Sequence, residues 1–251
     1  MKYEREYEFI KNIAKDAYEQ VIMGHQFVAN DKTEKDLVTT LDLACEKFII
    51  SKIKENFSTD TIISEETNYD VKLAGRSWTV DPIDGTNNFA NNLPIWVIQV
   101  AFVVDGEVQC SVVYAPVLNE IVYSHKGEGV YLNGEKLGAL QEVPNNQLII
   151  DDSIGRNRKK LFFNEKTDPL YLRRRCFGSA GYFMASVALG RLGGAFFECK
   201  NLWDILPGKL LCEERGLKFY QFEREGTHFC IVLNNQKFVD ALDILKEEGL
   251  E

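Results

Sequence analysis

Apolar residues near the start of the chain recur at helical spacing. Phe9, Ile10, Ile13, Ala14, Ala17 and Val21 share one face and predict an amphipathic helix over residues 3–22. Asp31 to Asp36 is polar and reads as a solvated loop. A second helix follows to about Asn56, with Ala44, Phe48, Ile49 and Ile53 inward. Then the period shortens. Thr61–Ser64 is a short strand, residues 67–76 a loop, and Ser77–Val80 a buried strand rich in aromatic and β-branched side chains.

The run Ile95–Val104 is almost unbroken in its apolar character and predicts a strand covered on both faces. Asp105-Gly106 is a hairpin turn, Val108–Tyr114 the returning strand, and Glu120–Ser124 a third. Residues 127–134 give another short hairpin. Its glycines imitate a phosphate loop, but no helix follows, and that reading is rejected. Beyond residue 145 strands and helices alternate. Strands are expected at Gln147–Asp151, Leu172–Phe177, Gly194–Glu198, Leu217–Phe222 and Phe229–Leu233. Helices are expected at Arg156–Phe163, Gly178–Leu189, after Asp204 and from Gln236. The three arginines of Leu172–Phe177 read as a solvated strand edge, with a phosphate-attracting rim as the alternative. Helices first, an antiparallel sheet in the middle and alternation after it make a layered mixed fold. We expect one unit over residues 1–251, with lobes of about 1–145 and 146–251.

Within this pattern one stretch carries concentrated chemistry, Trp78-Thr79-Val80-Asp81-Pro82-Ile83-Asp84-Gly85-Thr86-Asn87-Asn88-Phe89. Asp81 is placed at a strand end with an immediate turn. Pro82 fixes one φ and Gly85 admits a conformation closed to other residues. Such a turn can aim Asp81, Asp84 and the Ile83 carbonyl at one point, an all-oxygen pocket suited to Mg²⁺. Asp-Pro and Asp-Gly are also ordinary turn pairs, in which either carboxylate merely caps the turn. Asp42 likewise suits the first turn of a helix capped by Thr39 or Thr40. Ser179 suits an N-cap, and a capping Asp204 would place Pro207 harmlessly in a first turn. Glu65-Glu66 repel one another at a strand end unless a cation is near.

The 251 residues carry a net charge of −9, with 45% hydrophobic and 27% charged residues. That balance is globular, and it argues against a partner made of nucleic-acid polymer or anionic membrane. A small phosphate ester is still admissible, because bound divalent metal inverts the local sign. Six cysteines without a Cys-x-x-Cys read as small buried hydrophobes in a reducing compartment, and three scattered histidines make a zinc site improbable. The charged N-terminus has the look of no secretory signal, and no stretch is apolar enough to span a bilayer. A cytoplasmic protein is expected.

The central stretch resembles the inositol monophosphatase family, in the wider group of Mg²⁺-dependent, lithium-sensitive sugar phosphatases. Its pattern Asp-Pro-Ile/Leu-Asp-Gly-Thr-x-Asn-Phe is met at 81–89. Three more blocks agree in order, Asp36-Leu37-Val38-Thr39-Thr40-Leu41-Asp42, Ser64-Glu65-Glu66 and Trp203-Asp204. The resemblance implies a layered α-β-α-β-α sandwich of the inositol monophosphatase and fructose-1,6-bisphosphatase type, as a homodimer. It also implies hydrolysis of a phosphate monoester by a directly attacking water, with two or three Mg²⁺ per site and Mn²⁺ as a substitute. Glu65, Asp81 and the Ile83 carbonyl would hold a first metal, and Asp81, Asp84 and Asp204 a second. Glu65 and Thr86 would orient the water, with Asp42 holding one beside the metals. Gly85 and Thr86 would bind phosphate, while Asp84, Ser179, Ala180 and Glu198 would meet the substrate. Inositol monophosphate or a related sugar phosphate is the expected ester. Fructose-1,6-bisphosphatase, 3′-phosphoadenosine 5′-phosphate phosphatase and a non-catalytic regulatory relative are the alternatives. Glu198 lies one residue nearer Asp204 than the family's polyol-binding acid, and the region after Leu217 is compact.

Overall fold

The computed structural model of the chain describes residues 2–33, 36–144, 149–153, 173–198, 201–224 and 227–236. The helices expected at Arg156–Phe163 and beyond Gln236 lie outside them. Four layers are in view. Helices α1 (Glu4–Ala17) and α2 (Thr40–Asn56) cover one face of a seven-stranded sheet. Helices α4 (Ala180–Ala188) and α5 (Leu202–Glu214) cover the other face, and a five-stranded sheet closes over them.

The large sheet runs β3 (Thr61–Ser64), β4 (Arg76–Asp84), β5 (Val97–Val104), β6 (Glu107–Ala115), β7 (Glu120–His125), β8 (Val130–Leu132) and β9 (Glu135–Lys136), in that order. Only β3 and β4 pair in parallel. Strand β5 is apolar throughout because both its faces are covered. Ile98, Val100 and Phe102 pack toward α1 and α2, while Val97, Ala101 and Val103 pack toward α4 and α5. The Asp105-Gly106 turn has φ of 50° and 83°, the primed geometry that suits sheet twist.

The small sheet has the order β11 (Arg173–Arg175), β10 (Ile149–Ser153), β12 (Gly194–Glu198), β14 (Thr227–Leu233), β13 (Lys218–Arg224). Strand β10 is parallel to both its neighbours, and the other pairs are antiparallel.

Several expectations need correction. The polar stretch before the second helix is not a plain loop: β1 (Ala29–Thr33) and β2 (Asp36–Thr39) pair as a hairpin. Nor does the chain turn at Asp81, since β4 continues to Asp84. Along α2 the inward residues are Leu41, Asp42, Cys45, Glu46, Ile49 and Ile53, while Ala44 is exposed. Two carboxylates on the inner face shift the true contact face away from the apolar stripe. The glycine loop after β7 binds an anion, but an internal one. Gly127 and Gly129 N–H each donate to the Glu214 carboxylate, at 2.8 Å.

Candidate active site

The site is built where β4 breaks register. Asp81 pairs with Gln99 and Asp84 with Val97, so three steps along β4 answer two along β5. The extra residue makes a bulge. In a regular strand, residues three apart face opposite ways. Here the bulge restores Asp84 to the side of Asp81, toward the starts of α4 and α5. Pro82 sits in the bulge and lacks only an N–H that an irregular ladder does not need. Gly85 then turns the chain at φ 95° into the short helix α3 (Thr86–Ala90). A Cβ on Gly85 would stand 3.1 Å from the Ile95 carbonyl oxygen and from Ser179 Cβ, so glycine is required by both conformation and space.

A cavity of about 220 Å³ opens at this point. It is lined by Glu65, Asp81, Ile83, Asp84, Gly85, Thr86, Asn87, Gly178, Asn201 and Asp204, and none of these is basic. One oxygen from each of Asp81, Asp84 and Asp204 lies within 4.8 Å of the others. Burial first, then Glu65, Asp84 and Asp204, push the Asp81 carboxyl well above its ordinary value. Burial and Asp204 push Asp84 up to about 7, against donors that favour its ionised form. Those donors are Ser179 Oγ at 2.7 Å, Gly181 N at 2.6 Å and Ala180 N at 3.2 Å.

Asp81 Oδ1 is buried and has no hydrogen-bond partner among the described residues. A buried orphan oxygen among like charges, in an all-oxygen donor set, fits a hard divalent cation. The residues present therefore suit a metal.

Thr86 is 8% exposed, and its hydroxyl lies 3.0 Å from the Ile83 carbonyl oxygen and 3.1 Å from Asp42 Oδ1. Asp42 is fully buried and does not line the cavity; it reaches the site through Thr86. Its other oxygen accepts from Thr39 N at 2.8 Å and from the Thr39 hydroxyl, closing the capping box of α2. Burial raises the Asp42 carboxyl, and the Thr39 and Thr86 hydrogen bonds oppose the rise. Glu65 lines the cavity, while the backbone N–H of Glu66 donates to Glu46 at 2.7 Å.

Ser179 and Ala180, expected at the substrate, both lie against Asp84. Ser179 is 2% exposed and both donate to Asp84, because the open N–H groups of a helix start attract the nearest carboxylate. Glu198 ends β12 and is not among the lining residues. Asp204 is no cap. Helix α5 starts at Leu202 with Asn201 before it, so Asp204 lies in its first turn and Pro207 inside it. Gly178, Asn87, Asn201 and Gln99 were not singled out from sequence. Gln99 had a signal, as the one polar side chain in a long apolar run.

A sequence model described as the inositol monophosphatase family matches residues 3–247. A fructose-1,6-bisphosphatase/inositol-1-monophosphatase of Thermotoga maritima is 34% identical over 186 residues, 72% of this chain and 70% of that protein. The Nus factor SuhB of Escherichia coli is 33% identical over 233 residues, covering 85% and 84%. Among solved structures, an inositol monophosphatase of Thermotoga maritima superposes with a TM-score of 0.80 at 29% identity, covering 97% of this chain and 99% of that one.

Proposed function

The chain belongs to the inositol monophosphatase family, whose members hydrolyse phosphate monoesters, and on that premise we propose a Mg²⁺-dependent phosphatase for inositol monophosphate or a similar small sugar phosphate. The observation that carries the metal assignment is the cluster of Asp81, Asp84 and Asp204 with an unpartnered Asp81 oxygen. Glu65, Asp81 and the Ile83 carbonyl are assigned to one cation, and Asp81, Asp84 and Asp204 to a second. A cation held there supplies Lewis acidity and neutralises charge on the phosphoryl oxygens. Mg²⁺ suits the carboxylate and carbonyl set, and Mn²⁺ can replace it.

The chain's own groups do the rest. Glu65 and Thr86 orient the attacking water, and the Asp42 carboxylate fixes the Thr86 hydroxyl from behind. The N–H groups of Gly85 and Thr86, at the turn out of β4, face the phosphate. Asp84 is held by three donors at the start of α4 and lines the cavity. No step needs a covalent enzyme intermediate. Lithium inhibition, a homodimer and a cytoplasmic setting accompany this reading, and none of the described helices is long and apolar enough to cross a membrane.

Fructose-1,6-bisphosphate is a second substrate reading, favoured by the double description of the Thermotoga maritima relative. The match to Nus factor SuhB bears on a regulatory role, for which a cation-ready carboxylate set is not needed. The test is phosphate release from inositol-1-phosphate, fructose-1,6-bisphosphate and a 3′-phosphonucleotide, each with Mg²⁺ and with EDTA. Mg²⁺-dependent release with the highest kcat/KM on a sugar or inositol phosphate supports the proposal. Full activity in EDTA, or no release from any ester, overturns it.

A further inference from the structure

Strand β5 carries one polar side chain inside its apolar run, and that side chain is fully buried. Gln99 stands opposite Asp81 in the ladder, at the last regular pair before the bulge. Strand parity places both on the face toward α4 and α5. Gln99 Nε2 donates to Asp81 Oδ2 at 3.2 Å. Its Oε1 is buried with no hydrogen-bond partner among the described residues, as is Asp81 Oδ1. The amide also lies on Gly181. A Cβ built there would come within 2.5 Å of Gln99 Oε1 and 2.8 Å of Cδ. Gly181 N is in turn a donor to Asp84. One buried amide thus touches Asp81 directly and lies against the backbone that holds Asp84.

Leaving Oε1 buried without a partner destabilises the fold, and an apolar side chain of this size would avoid that cost. A folding role alone does not account for an amide here. We propose that Gln99 is a positioning residue for the cation site. Its N–H occupies Asp81 Oδ2 and fixes the carboxylate rotation, leaving the unpartnered Oδ1 to the cation. A neutral donor suits this task better than lysine or arginine. It orients the carboxylate without cancelling the charge that attracts the cation. This inference rests on the assignment of Asp81, Asp84 and Asp204 to a divalent cation.

The probe is Mg²⁺ alone, titrated by calorimetry into the folded parent, Gln99→Met and Ser111→Ala. Methionine keeps the length and removes the donor. Ser111 is a control, because it is fully buried in the neighbouring strand and its hydroxyl also has no partner among the described residues. Removing a hydrogen-bonding support behind a metal ligand weakens metal affinity by about 10- to 100-fold. That loss is expected for Gln99→Met and absent for Ser111→Ala. The Gln99→Met urea midpoint in EDTA should stay near the parental one, since the lost donor and the lost orphan oxygen offset each other.

Equal Mg²⁺ affinity in parent and Gln99→Met overturns the proposal. In the ¹⁵N-labelled parent, the Gln99 side-chain N–H₂ resonances should shift along the Mg²⁺ titration. Unmoved resonances overturn it even if the variant does not fold. A parent that binds no Mg²⁺ instead overturns the cation site itself.

Discussion

Asp81 and Asp84 lie three residues apart on one strand and face one cavity, because β4 carries one residue more than β5 between them. Asp81 is the buried member, 1% exposed, and it is the carboxylate assigned to both cations. A neutral amide cannot bridge two cations, so Asp81→Asn should abolish activity at every Mg²⁺ concentration. Circular dichroism should remain native, since the change removes one of several clustered like charges. A folded Asp81→Asn enzyme with parental kcat would contradict the bridging assignment.

Asp204 and Thr86 should fail in different ways. Asp204→Asn weakens only the second cation, so the Mg²⁺ activation curve should move to higher concentration while kcat falls. Thr86→Ala removes a group assigned to the water, so the curve should hold its position and kcat should drop by roughly 10²–10⁴. Steady-state rates across a Mg²⁺ series separate the two patterns. An Asp204→Asn curve that overlays the parent would leave Asp204 with no role in cation binding.

Metal-free stability should fall as pH rises. Asp84 titrates near 7 in the folded chain, and Asp81 is also raised, both chiefly by burial. The unfolded carboxyl titrates near 4. Between those values the folded chain holds protons that the unfolded chain has released, so unfolding becomes easier with increasing pH. Urea midpoints in EDTA should therefore decline from about pH 5 to pH 8, and saturating Mg²⁺ should remove the decline by binding the ionised site. A midpoint that climbs over that range in EDTA would be inconsistent with these shifts.

Far from the site, Arg76 ties the first helix to the sheet. Its guanidinium holds Asp60 through two bonds, of 2.8 and 3.0 Å, and Glu6 at 2.6 Å, and Trp78 Nε1 adds a bond to Asp60 at 2.9 Å. The Asp60 side chain is almost fully buried, so Arg76→Met would strand a charge. A loss of about 3 kcal/mol is expected, at the low end for a broken buried pair because Arg76 is itself more than a third exposed. Urea unfolding measures it. The kcat of the folded fraction should be unchanged.

The sequence alone determined what is local. Asp81, Pro82, Asp84, Gly85 and Thr86 fall within six residues, so their spacing alone indicated that they could converge. Strand β5 was legible because an unbroken apolar run has few other uses, and the Asp105-Gly106 hairpin because its turn chemistry is specific. The β1–β2 hairpin was not, since Ala29–Thr39 is polar and shows no strict alternation. Tertiary structure decided everything that depends on which distant element arrives at the bulge. Asn201 and Asp204 come to Asp81 from the start of α5, more than a hundred positions away. Ser179 and Ala180 spend their donors on Asp84 because the start of α4 abuts that carboxylate; their own neighbours in sequence predict only a cap. Asp42 serves both the α2 capping box and Thr86, and neither partner alone distinguishes the two uses. Gln99 shows the limit most plainly. Its polarity is visible in the sequence but went unused there, and only the pairing register of two strands says that it faces Asp81.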